Sequence, residues 1–128
     1  MKKRRKFDIR IVNTIHSKNE DIIRVTDFKV TPVAPQKGRQ VLIKMTIKNV
    51  SSKLLKSVPW QINHNECILV HGSRCRLPAG DSFKISVTWT AAPGKHFFYG
   101  DADPGNTLKE PKIKQYNNLP QGIDVKVK

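Results

Sequence analysis

Two clusters of side chains in this sequence could hold a metal or form a covalent bridge. His64, Cys67, His71 and Cys75 follow one another as H-x2-C-x3-H-x3-C. Zinc takes such imidazoles and thiolates when four of them converge tetrahedrally at about 2.0–2.3 Å. The spacing fits no standard zinc finger or knuckle. On a strand, moreover, His64 and Cys67 fall on opposite faces unless a turn at Asn63-His64-Asn65 intervenes. The cysteines offer a second chemistry. A hairpin turn at His71-Gly72 would set Cys67 and Cys75 against each other as a disulfide candidate, provided their Cβ atoms come within about 4.5 Å. Otherwise they pack as two small free thiols.

The second cluster is DADPGNTLKE, in which Asp101, Asp103, Asn106 and Glu110 offer oxygens to calcium. Calcium asks for six to eight such ligands on a flexible loop. Gly105 suits the sharp bend, but the ligand spacing of an EF-hand is missing. Asp103 and Asn106 read equally as turn residues that hydrogen-bond their own backbone.

Catalysis has weaker footing. Ser82, Ser86, His96 and Asp101 are present, yet no G-x-S-x-G elbow and no H-E-x-x-H frames them. No glycine-rich phosphate loop precedes a helix. The sequence points to a protein that is not an enzyme and calls for no cofactor.

Charge is the more productive signal. The 128 residues carry 24 Lys and Arg against 10 Asp and Glu, a formal net charge of +14. Lys2, Lys3, Arg4, Arg5 and Lys6 supply only part of this, so the rest of the chain is basic too. Such a surface attracts polyanions and acidic proteins. The basic residues expected near loops are Lys53, Lys56, Arg74, Arg76, Lys95, Lys112 and Lys114, suited to phosphate, sulfate or carboxylate groups. Lys44, Lys48 and Lys84 read as outward strand positions, where lysine keeps a strand soluble and blocks edge pairing.

The elements that must position these groups are strands. Apolar residues recur at every second position over Ile23–Val30, Gln40–Asn49, Val58–His64, Cys67–Val70, Ser82–Thr90, His96–Ala102 and Ile123–Lys128, with a further piece at Arg74–Leu77. Pro, Gly, Asn and Asp clusters separate them. The inward set is Val25, Phe28 and Val30; Val41, Ile43, Met45 and Ile47; Val58, Trp60 and Ile62; Phe83, Ile85, Val87 and Trp89; then Phe97, Tyr99 and Val125. Thr26-Asp27 predicts a bulge. Residues 1–20 form a basic arm and linker, with a short strand at Phe7–Val12. Residues 21–128 form one all-β domain, an antiparallel β-sandwich of about seven strands with little or no helix.

The order of these pieces resembles the CARDB family (cell adhesion related domain found in bacteria), an immunoglobulin-like β-sandwich. The matching pieces are VTDF at Val25, VLIKMTIKN over Val41–Asn49, the turn of Leu77, Ala79 and Gly80, and Val87-Thr88-Trp89. Gly94, Asp103-Pro104, Asn106, Glu110 and Asn117-Asn118 follow in the same order. The resemblance covers roughly Ile22 to Lys128, the span over which the strand rhythm holds. Where the family carries a polar stretch, this chain has basic KEPKIKQYNN. The resemblance implies an immunoglobulin-like fold, no catalytic residues, and an accessory or adhesion-type binding role.

The expected function is a surface or envelope module that engages protein or anionic glycan through loops and a basic face. The rival is an intracellular protein that binds nucleic acid non-specifically through the Lys2–Lys6 arm and the positive sandwich face. MKKRRKF resembles the basic start of a signal peptide, but no apolar segment follows it. The expectation is therefore a surface, periplasmic or secreted protein if a signal has been removed, and a cytoplasmic one otherwise. No apolar run approaches the ~20 residues that would insert in a membrane.

Overall fold

The computed structural model describes residues 22–108 and 122–128. The arm of residues 1–20, its Phe7–Val12 strand, Glu110, Lys112 and Lys114 lie outside the described residues. Seven strands follow one another: β1 (Ile23–Thr31), β2 (Gln40–Asn49), β3 (Leu55–His64), β4 (Cys67–Leu77), β5 (Ser82–Thr90), β6 (Gly94–Ala102) and β7 (Ile123–Val127). They form a three-stranded sheet in the order β1-β2-β5 and a four-stranded sheet in the order β4-β3-β6-β7. Every pairing is antiparallel. The chain is an all-β sandwich.

The core lies between the two sheets and follows from the period-two pattern. On β2, Val41, Ile43, Met45 and Ile47 are wholly buried while Lys44 and Lys48, on the alternate positions, are exposed. Each such aliphatic side chain contributes roughly 1.5–3 kcal/mol on burial. Val25, Phe28 and Val30 are buried on β1, with the pairing shifted between Val25 and Asp27. That shift is the bulge expected at Thr26-Asp27; it lets Val25 and Phe28, three residues apart, both face inward.

Strand β6 has the opposite parity to the one expected. Phe98, Gly100 and Ala102 face inward and are buried, whereas Phe97 is 40% exposed and Tyr99 half-buried. The reason is space. A Cβ at position 100 would collide with Sδ of Met45 and lie 3.0 Å from Cδ1 of Phe28. The inner layer is thick enough there to admit only glycine, so the neighbouring aromatic rings turn outward.

Strand β4 also differs. It runs unbroken through His71 and Gly72, with Trp60 paired to Gly72. Gly72 serves close packing instead of a turn, since a Cβ would sit 2.6 Å from Cζ2 of Trp60. The reversal between β3 and β4 lies at Asn65-Glu66. Asn65 takes a left-handed φ of 57° there, a conformation its short polar side chain tolerates. Asn65 also docks the turn on β6: its backbone N–H donates to the Phe97 carbonyl at 2.7 Å, and its Oδ1 accepts from the Phe97 N–H at 3.0 Å.

Two further devices close the ends. The buried Asn49 side chain donates to the carbonyls of Lys53 (2.7 Å) and Leu77 (3.0 Å) and accepts from the backbone N–H and hydroxyl of Ser51. It therefore holds the exit of β2 against the end of β4. At the opposite end, the segment after β1 lies along the outer edge of β7. Lys126 N–H donates to the Val33 carbonyl, Lys128 N–H to that of Pro35, and Lys37 N–H to that of Lys128. A sheet edge that would otherwise be open is thereby covered.

Candidate functional site

The residues expected to bind anions divide by position. Lys53, Lys56, Arg74 and Arg76 are all exposed and gather where β3 begins and β4 ends. Leu55 pairs with Leu77 and Ser57 with Cys75, which sets Lys56 and Arg76 in the interval between those two pairs. Arg76 adopts a φ of 58°, an irregular step beside the end of the strand. The Arg74 guanidinium lies over the Phe83 ring, 5.3 Å from its centroid, so its stem and planar head are held by a cation–π contact while the residue stays solvent-accessible. Lys95 is exposed on β6 at the other end of the sandwich, opposite Lys126.

The set His64, Cys67, His71 and Cys75 is not brought together. Cys67 and Cys75 stand on one continuous strand, paired with His64 and Ser57 respectively. A rise of eight residues along the strand separates them by roughly 26 Å. Both are exposed free thiols, which corrects the expected disulfide. His71 pairs with Gln61 midway between them. The hairpin at His71-Gly72 that would have faced the cysteines is replaced by the packing of Trp60 on Gly72, and the turn at Asn65-Glu66 leaves His71 and Cys75 far along β4 from His64.

Asp103 and Asn106 form a turn directly after β6, while Asp101 stands on β6 itself, paired with Gln61. Asp103 is wholly buried. Its Oδ1 accepts from the Thr107 N–H and hydroxyl at 2.8 and 2.6 Å, and its Oδ2 accepts from the Leu108 N–H at 2.8 Å. Asn106 N–H donates to the Asp103 carbonyl. Burial, and then the neighbouring Asp103, push the Asp101 carboxyl up to about 6. Among the described residues, no three His, Cys, Asp or Glu side chains lie close enough to hold a metal ion.

A site that strand-by-strand reading did not anticipate is an aromatic cluster around two histidines. Nε2 of His96 lies 2.8 Å from the Ala92 carbonyl, and its Nδ1 lies 2.8 Å from Nε2 of His64. A carbonyl only accepts, so Nε2 of His96 carries the proton, and its bare Nδ1 receives the N–H of His64. His64 stacks on Phe98 at 4.7 Å between centroids, and Trp89 meets His96 and Phe98 edge-on. Burial, and then the adjacent His96, hold the His64 imidazole below its ordinary 6.5. The sequence places only His64 and Trp89 of this cluster on inward positions; the parity expected for β6 turns His96 outward, so the cluster is hidden by that same misassigned parity.

The outer face of the three-stranded sheet departs from another expectation. Because β2 is the central strand, Lys44 and Lys48 cannot guard an edge. The register sets Lys44 directly opposite Lys29, and Lys48 opposite Arg24.

No protein-family model matches the sequence, and no curated protein matches it. Solved structures do match. The CARDB domain of a Pyrococcus furiosus protein, described as a complex with di-metal ions, superposes with a TM-score of 0.71 at 18% identity, covering 83% of this chain and 87% of that one. A domain ascribed to a cell surface protein of Methanosarcina acetivorans gives 0.59 at 18% identity, over 84% and 93% of the two chains. A β-glucosidase from Listeria innocua gives 0.55 at 13% identity, over 82% of this chain but only 15% of the enzyme. The chain has the fold of a CARDB domain.

Proposed function

From that fold we propose that this protein is a non-catalytic binding module of the accessory or adhesion type, displayed at the cell surface or envelope, with an acidic glycan or acidic protein as its partner. The observation that carries the reading is the exposed group of Lys53, Lys56, Arg74 and Arg76 at one end of a sandwich whose interior is filled by side chains. Such a group offers hydrogen-bond donors and positive charge, and no nucleophile paired with a base. The likeness to a domain ascribed to a cell surface protein supports the location. No helix among the described residues is long and apolar enough to cross a membrane. Metal binding does not enter the reading, because the Asp103 carboxylate accepts three bonds from its own turn.

The test is retention on an immobilised sulfated glycan against its desulfated form. Retention that falls steeply as salt rises supports charge-driven binding. Equal retention on both matrices, or none on either, removes the acidic glycan as partner.

A further inference from the structure

We infer that the outer face of the three-stranded sheet carries an oxyanion-binding cradle for the sulfate or phosphate esters of an acidic glycan. The inference rests on the binding-module reading and adds a second, separate site to it. A surface concavity of about 250 Å³ is lined by Asp27, Lys29, Lys44, Thr46, Lys84 and Ser86. These residues come from three strands, brought together by register: Lys29 pairs with Lys44, Lys44 with Ser86, and Thr46 with both Asp27 and Lys84.

Three ammonium groups thus surround two hydroxyls, with one carboxylate at the margin. That carboxylate reaches Lys29 only at 4.0 Å, and it is the single acid lining the concavity. Neither Lys44 nor Lys84 has an ion-pair partner among the described residues. Like charges directly opposite one another weaken a sheet, so the Lys29–Lys44 pair is a cost to the free protein. An oxyanion seated between them turns that repulsion into attraction, and hydroxyls at Thr46 and Ser86 can donate to its remaining oxygens. The bulge at Val25/Asp27 lies beside this patch, and bulges are common next to functional sites.

The cationic rows extend only to the Arg24–Lys48 pair, a span of roughly 13 Å along the strands. The cradle's lining contains no aromatic ring on which a base could stack. A compact charged group on a sugar polymer fits this footprint better than a nucleic acid strand.

The experiment is calorimetric titration of the whole protein with a heparin-derived hexasaccharide, the same hexasaccharide desulfated, a phosphorylated oligomannose and a 20-base-pair DNA duplex. The triple variant K29Q/K44Q/K84Q is compared with a loop variant, K53Q/K56Q/R74Q/R76Q. The cradle predicts about tenfold or greater loss of affinity for the sulfated or phosphorylated sugar in the triple variant. The two esterified sugars separate the sulfate and phosphate sources. Thermal unfolding supplies a second readout: at low salt the triple variant should be more stable than the parent, and the sulfated hexasaccharide should stabilise the parent alone. Binding by the parent that the triple variant retains in full overturns the cradle and leaves the module reading standing. Absence of binding to every anionic probe overturns the cradle and the acidic-glycan partner together. Tighter binding to the duplex than to either esterified sugar overturns the glycan assignment.

Discussion

Nε2 of His64 and Nδ1 of His96 lie 2.8 Å apart and share one hydrogen bond, while Nε2 of His96 donates to the Ala92 carbonyl, so the two rings are tied to each other and to the segment just past β5. Burial beside Phe98 and Trp89 disfavours charge on His64. The folded state therefore takes up a proton at His64 less readily than the unfolded chain. Stability is held above 6.5 and lost as pH falls through the window below it. Proton NMR should show His64 titrating below 6.5, and a midpoint at or above that value would contradict the arrangement.

Asp101 works in the other direction. Its carboxyl titrates near 6 in the fold against an ordinary 3.8, so the folded state binds the proton more tightly across that interval. Its contribution is most favourable at low pH and is lost as pH rises through about 6. Asp101→Asn should raise the melting temperature at pH 7.5 and leave it nearly unchanged at pH 4. An equal change at both pH values would mean that ionisation is not the cause.

Asn49 joins three segments through one buried amide. Asn49→Ala leaves the Leu77 carbonyl without its donor in the interior, a loss of about 2–4 kcal/mol when several bonds go at once. Urea unfolding measures it; a change below about 0.5 kcal/mol, typical of an unconstrained surface position, would show that Asn49 is not a brace.

Gly100→Ala should destabilise by about 1–3 kcal/mol, the usual cost of forcing a methyl group into a filled core. The added carbon meets Met45 and Phe28 in the opposite sheet. Ala at the exposed Gly105, where only a Thr107 methyl lies within 3.8 Å, is the matched control and should be close to neutral.

Cys67 and Cys75 should both react with a thiol reagent in the folded protein, and mild oxidant should produce no intramolecular bridge. Intact mass under non-reducing conditions decides this; a loss of two hydrogens in the monomer would mean that β4 bends at Gly72 after all.

How far the sequence exposes this fold depends on whether a strand labels both its faces. On β2 it does, because Lys44 and Lys48 alternate with Val41, Ile43, Met45 and Ile47. On β6, the run His96-Phe97-Phe98-Tyr99 is aromatic on both faces, and the parity is decided by a glycine whose lack of a side chain is what the core requires. Gly72 misleads in a related way: a glycine under an indole and a glycine in a turn look the same in one dimension. The basic loop residues were legible as a composition. The opposition of Lys29 and Lys44 was not, since it depends on the register between two strands and on which strand lies in the middle.

The positions of β1 and β7 have a mechanical consequence. Ile23 begins β1 beside Asn49, near the β5 start, whereas Val127 ends β7 beside Gly94, just past the β5 finish. Ile23 and Val127 thus lie at opposite poles of the sandwich, and tension applied between them runs parallel to the strands. The bonds joining β7 to β6 and to the Val33–Lys37 segment would then be loaded together in shear instead of peeling one at a time.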